Sequence, residues 1–156
     1  MSKICGFAGH RQCNITKELQ QQIYCKCIEL ILYYDVKEFW VGNYGVFDRL
    51  MAEIVGEIKQ KVPEIQLNLI LPYLTAQINQ QKKLYAEKYD HILMADIPFN
   101  TPKQYWILKC NQYMVDHASF LIAYINFPFG GAAQSLSYAK RKKDITIFQF
   151  GSAGIL

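Results

Sequence analysis

Three glycine-bearing turns, each placed where a β-like run hands over to a helical one, restrict this chain more than any other feature. They are Gly9-His10-Arg11, Gly42-Asn43-Tyr44-Gly45 and Gly130-Gly131-Ala132. Each follows a short apolar run and precedes a segment of helical period. Alternation of strand and helix with short connections predicts an α/β fold, a Rossmann-like three-layer sandwich with a mostly parallel sheet and helices on both faces. In such a sheet all three turns lie at the carboxyl edge of the strands, where open sheets bind ligands. Glycine there lets backbone approach a phosphate closely, and the next helix start adds free N–H groups.

The pattern extends along the whole chain. Strands are expected over 3–8, 38–41, 67–71, 91–94, 120–125 and 145–150. Helices are expected from Thr16 to Tyr34, over 47–62, over 76–88, and from Thr101-Pro102 to about Asp116, with threonine as cap and proline at the first position. A last helix is expected over 132–142, and a tail over 151–156. No linker or repeat interrupts 1–156, so 156 residues read as one domain with room for a sizeable core.

The net charge of +4 is small, and much of it sits in Lys140-Arg141-Lys142-Lys143. Near a helix end that cluster complements the dipole, and the competing reading is a nucleic-acid contact. Five cysteines, an odd number, fit neither a disulfide framework nor a zinc quartet. No metal set and no cofactor is implied. The start of the chain lacks a signal-peptide layout, and no apolar run approaches a membrane span. The expectation is a cytoplasmic, soluble protein with no membrane partner. The aromatic excess points to a buried subunit face or a stacking pocket.

Within the turns, Arg11 is the strongest candidate, because its planar cation binds phosphate oxygens in bidentate fashion. Its competing role is a surface salt bridge. His10 is placed to donate to the same anion or to cap the turn. Asp48 falls in the first turn of a helix, which favours a carboxylate on dipole grounds alone. Its functional alternatives are to bind ribose hydroxyls, to orient Arg11, or to act as general acid or base. Asp116 lies at a helix C-terminus, where the dipole disfavours it, so a specific partner is expected. The remaining candidate ligand contacts are Gly9, Gly42, Asn43, Gly45, Asn111, Gly130, Gly131, Ala132, Gln134 and Ser135. The Gly130-Gly131 loop lacks the lysine of an NTPase phosphate loop.

Taken together, Cys5-Gly6-Phe7-Ala8-Gly9-His10-Arg11, the stretch 42–53, Asn111-Gln112-Tyr113-Met114-Val115-Asp116-His117 and the stretch 130–139 resemble the SLOG superfamily in its YpsA-like branch. That superfamily of Rossmann-like domains includes the Lonely Guy cytokinin-activating hydrolases and the DNA-processing Smf/DprA proteins. The resemblance runs in order over nearly the whole chain. It implies a nucleotide-derived ligand, ADP-ribose-like or a nucleoside monophosphate, over the glycine turns. It also implies a homodimer. Cys110 stands where the Lonely Guy pattern has an arginine, and no glutamate follows Gly131. Both departures remove charge from the hydrolytic pattern and favour binding or sensing over catalysis. The alternatives are an N-glycosidase, phosphoribohydrolase or deoxyribosyltransferase-like enzyme using Asp48 or Asp116, and a DNA-associated protein using the Lys140 cluster.

Overall fold

A computed structural model describes residues 2–151. The chain runs β1 (Lys3–Gly9), α1 (Lys17–Tyr33), β2 (Val36–Val41), α2 (Val46–Lys61), β3 (Gln66–Leu71), α3 (Ala76–Gln80), α4 (Lys82–Lys88), β4 (His91–Met94), α5 (Trp106–His117), β5 (Phe120–Tyr124), α6 (Gly131–Lys140) and β6 (Thr146–Phe150). The six strands form one open, all-parallel sheet in the order β4-β3-β2-β1-β5-β6.

Alternation along each strand divides the apolar residues between two cores. Cys5 and Phe7 of β1 join Phe39, Leu67, Leu69 and Ile122 beneath α1 and α2. Ala8 joins Trp40, Ile70, Leu121 and Ala123 beneath α5 and α6. The helices therefore cover both faces, as the sequence pattern predicts. The helix α2 supplies the densest apolar stripe, with Phe47, Met51, Val55 and Ile58 fully buried. Thr16 caps α1 by accepting the Leu19 N–H at 3.2 Å.

Two helices differ from expectation. The segment 76–88 is not one helix but α3 and α4, parted at Gln81. Ile78 anchors the first piece, and no buried side chain in α4 holds the second in line with it. The helix expected from Thr101-Pro102 starts later, at Trp106, after a 3₁₀ turn over Lys103–Tyr105. Pro102 is extended at ψ 143°. The Trp106 indole N–H donates to the Thr101 carbonyl at 2.9 Å, and the Thr101 N–H donates to Pro98. Those bonds hold Thr101 in a loop rather than at a cap. The expected tail falls, after Gly151, outside the described residues. Among the described residues no helix is long and apolar enough to cross a membrane.

Strand order fixes where a site can form. From β1 the chain steps outward through β2, β3 and β4, then returns to place β5 on the other side of β1. Gly9 at the end of β1 lies level with Tyr124 at the end of β5. The loops beyond them leave in opposite directions, and a crevice opens between them at the carboxyl edge.

Candidate functional site

The crevice is a cavity of about 360 Å³, at the lower end of the size of small-molecule sites (~300–1,000 Å³). The end of β1 contributes Gly9, His10 and Arg11, and the loop before α2 contributes Tyr44 and Asp48. Ile107 and Asn111, one helical turn apart on α5, form a third wall. Phe127, Gly130, Gly131, Ala132 and Ser135 close the fourth, where β5 hands over to α6.

Backbone contacts lock the first two walls together. Gly45 has φ +133°, and a Cβ there would lie 2.5 Å from the Arg11 Cα. The Val46 N–H donates to the Arg11 carbonyl at 2.7 Å. Arg11 is therefore fixed at its backbone while its side chain stays exposed, with its guanidinium carbon 5.9 Å from the centre of the Tyr44 ring. Among the described residues Arg11 forms no ion pair within 4.0 Å. The salt bridge that competed with its binding role is absent there.

His10 is almost fully buried, and its ring stacks on Phe127 at 3.7 Å between centroids. The Asn126 N–H donates to its Nε2 at 3.0 Å. A ring nitrogen that accepts is unprotonated, so the neutral ring carries its proton on Nδ1. Burial lowers the His10 pKa and favours that neutral form. His10 thus joins the first loop to the last and offers one remaining donor, Nδ1–H.

Asp48 carries the most informative charge in the cavity. Burial raises its carboxyl to about pH 6, against the lowering effects of the Tyr44 N–H and of Arg11. The Tyr44 N–H donates to Oδ2 at 3.0 Å, so the carboxylate also serves the start of α2. Gly42 makes this possible: a Cβ at that position would sit 2.8 Å from Oδ2. The Tyr44 hydroxyl is buried beside Tyr73, and burial, together with that neighbour, holds its proton on far above the ordinary range.

The fourth wall is a glycine pair opening a helix. Gly130 has φ +94° and caps α6, whereas Gly131 is its first residue. A Cβ at Gly131 would meet nothing within 4 Å. Nothing in the protein's own packing demands glycine there. The Ser135 hydroxyl donates to the Gly131 carbonyl at 3.0 Å, which spends its proton on the helix. The Asn111 amide, across the cavity, makes no hydrogen bond among the described residues.

The structure does not bring every expected residue here. Gly42 stands behind Asp48, and Asn43 and Gly45 line a neighbouring hollow with Arg49, Gln77 and Gln81. Gln134 faces outward beside Leu108 and Gln112. Asp116 lies at the far end of α5, near the amino edge of the sheet. It accepts from the Tyr138 hydroxyl at 2.7 Å and pairs with Lys142 at 2.5 Å, which hold its carboxyl below the usual range despite partial burial. Its partner exists, as the dipole argument required, but it is structural. Lys142 of the basic cluster is therefore engaged, and Arg141 stacks over Tyr138. Phe127 and Ile107 carry no signal in the sequence, because apolar residues in an α/β chain read first as core, and Tyr44 stands in the second glycine turn with no charge to mark it as a lining residue.

Cys110 is 2% exposed, and burial pushes its thiol up to about 12. It is a small apolar neighbour rather than a nucleophile. Lys109 beside it is exposed and does not line the cavity. Neither replaces a cation at the expected arginine position. Comparison of the sequence with protein-family models and with curated proteins finds no match.

Proposed function

We propose that this protein binds or senses a nucleotide-derived phosphorylated ligand, ADP-ribose-like or a nucleoside monophosphate, in the crevice between β1 and β5. One observation carries the reading. Gly131 has open space where its side chain would be, at the start of a ten-residue helix whose free N–H groups border a cavity with an unpaired arginine. A phosphate fills that space, and glycine is what allows its approach. The unpaired Asn111 amide and the His10 Nδ1–H add donors around it. The resemblance to the SLOG superfamily supports the same ligand class, and homodimerisation is proposed on that resemblance alone.

The test is a melting panel of AMP, ADP-ribose, NAD and ribose 5-phosphate on wild type, Arg11→Ala and Gly131→Ala. A ligand at about a hundred times its Kd adds roughly 2.7 kcal/mol, a clear shift in melting temperature. The shift is expected in wild type and is lost in Arg11→Ala. Gly131→Ala isolates the backbone approach. Alone, it is expected to match or exceed wild type in stability by about 0.5–1 kcal/mol, since alanine fits the space and suits a helix. With ligand, its melting shift disappears. Equal shifts in all three proteins overturn the site.

A second reading rests on Asp48. A carboxyl that titrates near pH 6 beside a cavity is poised for general acid–base work, which suits an N-glycosidase acting on the same ligand class. Release of free base from a nucleoside monophosphate, abolished in Asp48→Asn, establishes that reading over pure binding.

A further inference from the structure

One imidazole ties the loop after β1 to the loop after β5 in two ways. The His10 Nε2 accepts the Asn126 N–H at 3.0 Å, and the face of the same ring stacks on Phe127 at 3.7 Å with 15° between planes. The loop it holds lies close to solvent: Asn126, Pro128, Phe129 and Gly130 are exposed, and Phe127 is half-buried. Behind that loop the chain is secured independently. The Ile125 N–H donates to the Phe150 carbonyl at 3.0 Å, and a Cβ at Gly151 would meet the Ile125 carbonyl oxygen at 2.5 Å. The end of β5 is thus fixed by β6, whereas the stretch from Asn126 to the Gly130-Gly131 pair leans on His10. A segment with so little apolar burial detaches locally, without unfolding the sheet, when such a contact is lost.

A backbone N–H can only donate. Protonation of Nε2 sets two donors 3.0 Å apart with no acceptor between them, and one must leave. We propose that His10 is an acid-sensitive latch for the crevice: a proton taken up at Nε2 expels the Asn126 N–H and frees the last wall, from Asn126 to the glycine pair, from β1. The cavity is then complete only while the ring is neutral. The latch works without a ligand and is independent of the phosphate reading. Around the ring, the charged or titratable groups are Arg11 from its own loop, Asp48 and Tyr44 from the turn and helix after β2, and the Tyr124 hydroxyl at the end of β5. The helices α5 and α6 bring Ile107, Asn111 and Ser135, none of which titrates. Burial lowers the affinity of the ring for a proton, so the unfolded chain binds it more readily than the native one. The latch contributes its full stability above about pH 6.5 and loses it as the pH falls through the lower value of the folded ring. Asp48 acts in the opposite sense, since its raised carboxyl loses stability as the pH rises.

Amide hydrogen exchange read by NMR from about pH 7.5 to about pH 4.5, with the His10 ring nitrogens followed in the same samples, tests the latch. Corrected for the intrinsic rate, protection of the Asn126 amide is expected to fall about tenfold or more as Nε2 takes up its proton, while Ile125 keeps its protection. In His10→Gln the side-chain oxygen accepts the Asn126 N–H without titrating, so protection of Asn126 is expected to stay level. An Asn126 amide unprotected at every pH in that variant also supports the latch, because the ring is then what protects it. In Asp48→Asn the fall is expected to persist. An Asn126 amide that stays protected while Nε2 protonates overturns the latch, and so does a ring that stays neutral until Ile125 loses protection too. A fall that persists in His10→Gln, or vanishes in Asp48→Asn, belongs to another group and overturns it as well.

Discussion

Asp48→Asn is expected to make the protein more stable at pH 7–8, by about 1–3 kcal/mol, while weakening its ligand. The folded carboxyl titrates near 6 and an ordinary one near 3.8, so the native state holds the proton more tightly than the unfolded chain does. Stability drawn from this group is complete below about pH 4 and is lost as the pH rises through about 6. The difference of about two units corresponds to about 3 kcal/mol as an upper bound, since the cavity wall is partly open to water. Asparagine stays neutral and can still accept the Tyr44 N–H, so it removes the cost and keeps the bond. Melting temperatures of the two proteins should coincide near pH 4 and separate steadily up to pH 7. In the same samples, AMP affinity at pH 7.5 is expected to fall about tenfold. A residue held at the expense of stability has its reason in the ligand. Unchanged affinity would return Asp48 to the role of helix start alone.

The second large effect belongs to Gly45→Ala. Its φ of +133° is strained for any residue with a Cβ, at about 1–3 kcal/mol. The new carbon would also lie 2.5 Å from the Arg11 Cα and 2.8 Å from the Arg11 carbonyl oxygen. Those are backbone atoms held by the bond from Val46, and they cannot swing away as a side-chain tip would. The loops after β1 and β2 must part, for a total loss of about 3–5 kcal/mol. For a domain of this size the melting temperature falls by roughly 8–15 °C. Gly56→Ala is the matched control: it lies within α2, has open space around its Cβ and is expected to stabilise slightly. Equal melting temperatures for Gly45→Ala and wild type would show that the loops are not interlocked.

The fold was legible because strand, glycine and helix alternate with almost no competing signal. Gly9, Gly45 and Gly131 all prove to stand at the carboxyl edge, but for different reasons that a sequence does not separate. Gly45 is required by its own backbone and by Arg11, whereas Gly131 is required by nothing in the protein. The start of α5 was hidden because a tertiary bond from the Trp106 ring to the Thr101 carbonyl decides it against a good local cap. Asp116 could have been placed from sequence: a helix feeding a parallel strand ends at the amino edge, away from the glycine turns. Phe127 could not, since the pattern of a β5–α6 loop is silent about which ring faces a cavity.

The bond between Asn126 and His10 joins residues 116 apart in sequence. It fixes when in the life of the chain this crevice can exist. At about 5–20 residues per second, β5 leaves the ribosome roughly 6–23 s after β1. Until then β1 can pair with β2 alone, and one whole wall of the crevice is missing. A long closure of this kind also slows folding relative to a helical protein of equal stability. The nascent chain therefore acquires Arg11 early but cannot hold a ligand until β5 docks, so any stabilisation by ligand acts on the last step of folding and not on the first.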